Sequence, residues 1–404
     1  MENRIKKLRL VGEDEISLGE LLHRRVRETV EQAVEEELLA ALGAKLYERV
    51  DQRAGYRNGT RERTLTGPTG PVELTLPRAR VFTADGGDEE WRPTIVPRYQ
   101  RRMREINEAV AGVYLSGGNT RRIKGALRPL LKDAPLSRSA VSRIVATLRG
   151  SMEAWKRESL ADLDAVYLYL DAFALRVRTG SQVASVPVLA AVVVLADGNK
   201  RLIGLEMCGS ESHDAWKGFL DDLVARKLRM PRLAIIDGCP GLRSAVELVW
   251  PKTPIQRCTV HKHRNLLRKA PQHARDEITE DYHRIVYATG GAAARTARDA
   301  FVRKWSKRCP GVVTSLEEGG DEILTFFAFP REQWKTIRTT NVIERLNGEF
   351  RRRVKTQGSF PNEGSALVLL FSLVSTGQIK LRKLDGYDKI VNVVSDHGKE
   401  AAAA

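Results

Sequence analysis

The chain has 404 residues, enough for two or three domains that each bury a core, and its 67 Lys and Arg against 51 Asp and Glu give a formal charge of +16. A surface this basic favours a polyanion, of which nucleic acid is the commonest. No apolar run reaches membrane-spanning length, the start "MENRIKKLRLVGEDE" lacks a signal-peptide core, and Cys208, Cys239, Cys258 and Cys309 form no CxxC pair, so a membrane helix, a secreted disulfide framework and a four-thiolate zinc knot are all disfavoured.

In chain order, residues 1–52 read as a helical region, with an amphipathic helix over 17–44 that is the candidate dimer contact. Residues 53–100 turn Gly-, Pro- and Thr-rich around a short "VELTL" strand flanked by arginines. This predicts a small hairpin or an extended basic arm, carrying Arg57 and Asn58, suited to tracking a DNA backbone; a plain surface loop is the competing reading. Arg101 and Arg102 open residues 101–150, where "GNTRRIKGALRPLLKDAPLSRSAVSRIVATLRG" predicts helix, turn, helix. Asn119 or Thr120 would cap the first helix, which carries Arg121 and Arg122, and Ser137 the second. Arg138, Ser139, Ser142 and Arg143 fall on the open side of the second helix, with Val141, Ile144 and Val145 inward, as in a helix-turn-helix that reads a major groove. A generic basic helix pair would look the same.

From residue 164 the pattern changes to strands. "AVYLYLDAFALRVR" (165–178) and a hairpin over 185–208 with the turn "ADGNK" precede helix 212–228, strand 232–237, helix 241–250 and strand 255–260. Three antiparallel strands followed by crossovers to parallel ones give a mixed sheet flanked by helices, which is the strand order of the ribonuclease H-like fold. The predicted core occupies 160–267, an all-helical insertion 268–335, and the closing helices 336–396, before a disordered tail at 397–404.

Three acids stand out. Asp171 sits mid-strand among apolar residues, where an unpaired carboxylate is expensive, and Asp237 ends a buried strand just before Gly238. If their strands are neighbours, the two carboxylates lie side by side and need a proton or a cation between them; oxygen ligands of this kind suit magnesium. A strand salt bridge to Arg176 and an ordinary Asp-Gly turn are the bland alternatives. Glu344 lies in "NVIERLNGEFRRRV", where Val342, Leu346, Phe350 and Val354 form the expected core stripe and Asn341, Glu344, Asn347, Gly348 and Arg351 a polar face. Asn341 with Glu344 also fits a capping box. Arg345, Arg351, Arg352, Arg353 and Lys355 would grip a DNA backbone without reading bases.

With these acids in place the chain resembles the Mutator-type transposases of bacterial insertion sequences. The resemblance is carried in order by "GYRNG" (55–59), "RYQRR" (98–102), "YLDAFALRVR" (169–178), "IIDGCPGL" (235–242), "QRCTVHKHRNLL" (256–267), "TTNVIERLNGEFRRRV" (339–354) and "FPNEGSAL" (360–367). It implies a DDE enzyme that binds terminal inverted repeats and target DNA as a homodimer. Asp171, Asp237 and Glu344 would hold two Mg2+ ions, with Mn2+ as a substitute, and many bacterial members copy out through a circular intermediate. It also implies that Cys258 and His261, followed by Arg264 and Asn265, shape the site edge and handle DNA near the cut. Trp305 in the insertion, or Trp334, would stack an unpaired base unless it is a core tryptophan. Neither a membrane nor a small-molecule substrate is expected, and the location implied is the bacterial cytoplasm, at the nucleoid. A DNA-binding regulator that has lost catalysis, or a structure-selective nuclease on the same fold, is the alternative.

Overall fold

A computed structural model describes residues 17–48, 50, 53–116, 123–132, 134–355, 360, 362–390 and 393. Asn119, Thr120, Arg121, Arg122 and the tail at 397–404 lie outside the described residues. The chain forms two compact units, Met1–Ala146 and Thr147–Ala404.

In the first unit, helix α1 (Leu18–Leu42) begins at a reciprocal Ser17–Glu20 capping box and stops where Gly43 turns left-handed. Two long antiparallel strands, β1 (Gly55–Gly67) and β2 (Gly70–Phe82), and a short β3 (Asp88–Glu90) make a sheet in the order β1-β2-β3. Val34 of α1 packs with Leu65, Val72, Leu74 and Leu76, and Leu38 and Leu42 pack on Ala79. Residues 53–100 are therefore a packed β element lying over α1, and the extended-arm expectation is corrected. The alternation of apolar and polar residues along β2 runs on both sides of "VELTL", so one face of the whole strand needs a cover.

Helices α2 (Arg104–Leu115), α3 (Ile123–Ala126), α4 (Arg128–Leu131) and α5 (Arg138–Arg157) follow. Ile106, Val110, Ile123, Leu127, Leu131, Ala140 and Val141 share a core. The single helix expected before residue 132 is broken at Leu127, because Pro129 has no N–H for a helix interior and fits only the first turn of a new one. Ser137 Oγ accepts from the Ala140 N–H at 3.2 Å, close to the start of α5.

The second unit is built on a five-stranded mixed sheet in the order β6-β5-β4-β7-β8. Its strands are β4 (Ala165–Thr179), β5 (Gln182–Leu195), β6 (Lys200–Met207), β7 (Leu233–Ile236) and β8 (Ile255–Arg257). The first three pair antiparallel, and β4–β7 and β7–β8 pair parallel. Helices α6 (His213–Ala225) and α7 (Pro240–Val249) make the crossovers and bury Trp216, Phe219, Leu220, Leu242 and Val246 against Leu168, Leu170, Ala234 and Ile236. Next come α8 (Thr259–Lys269), α9 (Arg275–Val286), α10 (Gly291–Trp305) and α11 (Pro310–Glu317). These four helices surround their own core of Leu266, Ile278, Tyr282, Phe301, Trp305 and Val312. Helices α12 (Trp334–Ile337), α13 (Asn341–Val354) and α14 (Glu363–Ser375) return the chain to the sheet.

Candidate active site

Side chains alternate along a strand, so the even-numbered leucines of β4 face α6 and α7 while Tyr167, Tyr169, Asp171 and Phe173 share the other face. That second face meets α12 and α13 in register. The Tyr167 hydroxyl donates to Gln333, the Tyr169 hydroxyl to the Thr336 carbonyl at 3.3 Å, and Asn347 Nδ2 to Asp171 Oδ2 at 2.8 Å. Phe173 stacks on Phe350 with centroids 5.6 Å apart. Asp171 is buried, and its carboxyl is pushed up to about 7, first by desolvation and then by the charge of Asp237.

Asp237 follows β7 directly. Tyr169 pairs with Ile235 in the parallel ladder, and continuing that register by two residues sets Asp171 beside Asp237. The Asp237 carboxylate accepts from the Cys239 N–H at 2.9 Å. Between them Gly238 adopts φ +98°, and a Cβ there would lie 2.6 Å from the Arg257 guanidinium. Arg257 donates to the Gly238 carbonyl at 3.2 Å and to the Glu318 carbonyl at 2.9 Å, which fixes the turn carrying the acid. Only glycine satisfies both the left-handed backbone and that close approach.

The charge of the third acid, Glu344, also raises Asp171, by less than that of Asp237, while its own contacts run to Thr340 and His261. Thr340 Oγ1 donates to Glu344 Oε1 at 2.5 Å, and His261 Nδ1 lies 3.7 Å from the same oxygen. Thr340 also donates its N–H to Cys258 Sγ at 3.4 Å, and the N–H and hydroxyl of Thr259 both donate to the Arg338 carbonyl. The first turns of α8 and α13 are thereby tied together. Burial alone would raise the Cys258 thiol, but hydrogen bonds involving His261 and Thr340 outweigh it and draw the thiol below its ordinary value. His261 is raised to about 9, chiefly by its hydrogen bond with Cys258. Among the described residues, the three potential ligands that converge within 4.8 Å are Cys258, His261 and Glu344, not the three acids.

Comparison with known proteins adds the identity. The family described as "Transposase, Mutator family" matches residues 3–379. The transposase for insertion sequence element ISRM5 of Rhizobium meliloti is 35% identical, covering 87% of this chain and 86% of its own length. That of IS406 from Burkholderia multivorans is 33% identical over 87% and 88%, and that of IS256 in transposon Tn4001 from Staphylococcus aureus is 30% identical over 87% and 89%. The chain belongs to the Mutator family of transposases.

Several residues expected to handle DNA occupy other places in this transposase. Trp305 is fully buried and donates its indole N–H to Asp281 at 3.0 Å, so it cannot stack a base. Trp334 is half-buried against Phe326 and Phe327, with its N–H on the Phe329 carbonyl. Cys258 and Asn347 are wholly buried; the first holds the α8–α13 junction and the second holds Asp171. Arg57 is bound through both terminal nitrogens to Glu35, at 2.5 and 3.0 Å, and is a structural link to α1. Arg352 pairs with Glu349 at 2.6 Å, and Arg353 reaches the Gln378 carbonyl at 3.3 Å.

Asn58, Arg101, Arg138, Ser139, Ser142, Arg143, Arg264, Asn341, Arg345, Arg351 and Lys355 remain exposed, His261 and Asn265 half-buried, and Arg102 half-buried with Nε donating to Asn107. The capping-box expectation is also corrected: the N-cap of α13 is Thr340, Asn341 is the first helical residue, and the buried stripe is Ile343, Leu346, Asn347, Phe350 and Val354. Thr340 was passed over in the sequence. Its signal is a threonine, a preferred N-cap type, one helical turn before a carboxylate. Arg257, charged within an apolar strand, had no readable partner.

Proposed function

We propose that this protein is a DDE transposase with a ribonuclease H-like core, which cuts and joins insertion-sequence DNA at Asp171, Asp237 and Glu344 with magnesium. The observation that carries the proposal is the register-matched pair of aspartates, one of them buried and its carboxyl pushed up to about 7, first by desolvation and then by the charge of the other. Two such carboxylates ionise together favourably only when a cation lies between them.

The donor set fits a hard cation. Asp171 and Asp237 offer oxygen alone, and the buried Asn347 Oδ1 has no hydrogen-bond partner among the described residues. Magnesium held there would activate an oxygen nucleophile and offset charge on the leaving oxygen. The chain's own residues do the rest. Asn347 holds Asp171 in one orientation by donating to Oδ2, and the Cys239 N–H does the same for Asp237. Glu344 completes the set by turning away from Thr340 and His261. His261, cationic at neutral pH, then loses its Glu344 partner and can face a phosphate.

In the first step water attacks the phosphodiester, leaving a 3′-hydroxyl and a 5′-phosphate. In the second that hydroxyl attacks another phosphodiester and displaces its 3′-oxygen. No covalent protein intermediate is required. The exposed face of α5, with Arg138, Ser139, Ser142 and Arg143, supports a helix-turn-helix that reads terminal inverted repeats. Pairing two ends calls for a homodimer, and copying out through a circle is the route we favour.

The test is cleavage and joining of a labelled inverted-repeat end in magnesium, comparing wild type with Glu344→Gln. Chemistry lost with end-binding and melting temperature kept supports the proposal. A wild type that binds ends and never cuts them makes the chain a regulator instead.

A further inference from the structure

Beside α13, the second unit contains a cavity of about 630 Å³. Six cationic side chains line it: Lys200 at the start of β6, Lys335 of α12, Arg345 of α13, and Lys380, Arg382 and Lys383 of the segment after α14. Only two carboxylates, Glu349 and Asp385, share the lining. Glu349 is already engaged by Arg352. Among the described residues no ion pair involves Lys335, Arg345, Lys380 or Arg382. Like charges gathered from four separate segments repel one another and oppose folding. Burial draws the Lys200 ammonium below its ordinary value; Asp385 opposes that and Arg345 adds to it by less. Two of the six also serve the fold, Lys200 Nζ donating to the Lys383 carbonyl and Lys383 Nζ to the Asp197 carbonyl, both at 3.3 Å; the charge of the other four has no such partner among the described ion pairs.

The cavity and the acid cluster meet at the N-terminal end of α13. Thr339 and Asn341 line the cavity, while Thr340 between them bonds to Glu344. The cationic lining therefore includes both residues that flank Thr340, the partner of Glu344. We propose that this cavity binds the phosphodiester backbone of a DNA strand running on from the cut, and so sets which strand enters the site. This rests on the transposase reading above. Two sources share that chemistry: the flank of the donor end, and the target strand.

The experiment uses the full chain carrying Lys380→Gln together with Arg382→Gln, two exposed positions outside the acid cluster. Anisotropy is read on inverted-repeat duplexes with and without a flank, across a salt series, and strand transfer is read from a pre-cut end into plasmid. If the donor flank is the ligand, affinity for the flanked duplex falls about tenfold more than for the trimmed one, and the slope of log affinity against log salt flattens by about one for each phosphate released. If the target strand is the ligand, the two duplexes change alike and strand transfer falls about tenfold at low target concentration. Unchanged salt slopes, duplex affinities and strand transfer overturn the proposal. Because anisotropy needs no cleavage, a wild type that fails to cut leaves the donor arm readable. An unchanged melting temperature separates either loss from misfolding.

Discussion

Asp171 is the residue whose surroundings demand most explanation, and its titration gives a signed prediction. Its folded pKa of about 7 lies above the ordinary carboxyl value. A group raised on folding contributes stability that is fully present below its unfolded pKa and is lost as pH rises through the folded one. Without divalent metal the protein should therefore weaken between about pH 4 and 7, and Asp171→Asn should be more stable than wild type at pH 8 by about 1–4 kcal/mol, converging with it near pH 4. Urea denaturation at the two pH values checks this; equal stability at pH 8 would contradict it. Asn347 makes the companion case. Asn347→Leu matches the apolar stripe around it, so it should stay within about 2 kcal/mol of wild-type stability while losing at least tenfold in cleavage. Asn347→Asp sets a third carboxylate against Asp171 and should unfold at lower urea, increasingly so above pH 7.

At the level of elements, the turn after β7 and the junction of α8 with α13 decide where the acids point. Gly238→Ala meets both a left-handed backbone and the Arg257 guanidinium, so it should cost about 2 kcal/mol or more and lower magnesium affinity in parallel, measured by thermal melts with and without the ion. Thr340→Val removes the hydroxyl that holds Glu344. The Thr340 side chain makes no capping bond to the helix backbone, so the stability loss should stay near 1 kcal/mol while half-saturating Mn2+ in a thermal-shift titration falls severalfold. An unchanged or weaker Mn2+ response would mean that the hydroxyl does not restrain Glu344.

These elements also show what could be read beforehand. The strands, their order and the residues Asp171 and Asp237 follow from period-two patterning and from carboxylates standing where carboxylates are costly. Of the stripe expected on α13, Leu346, Phe350 and Val354 are buried, while Ile343 stands in place of Val342 and Asn347 joins them. A polar Asn347 in the buried stripe looks like a break in the pattern until Asp171, 176 positions away, supplies its partner. For Trp305 the structure takes the core alternative over base stacking, and its partner Asp281, on a neighbouring helix, was not readable beforehand. Long-range pairs of this kind leave no periodic trace.

Across the whole molecule, charge is the property most open to measurement. If the exposed arginines of α5 and the cavity cations together meet six or more phosphates, affinity for nonspecific duplex should fall by at least about a thousandfold between 50 and 200 mM salt. A shallow salt response would mean that most of the +16 charge is solvated surface. The tie between Thr340 and Glu344 bears on the element as a genetic passenger. On the proposed reading of Glu344 as third ligand, each 1.4 kcal/mol favouring its tie to Thr340 would leave about one tenth as many molecules ready to cut. Breakage would then be rationed by a hydroxyl and an imidazole, keeping the insertion sequence rare in its own action.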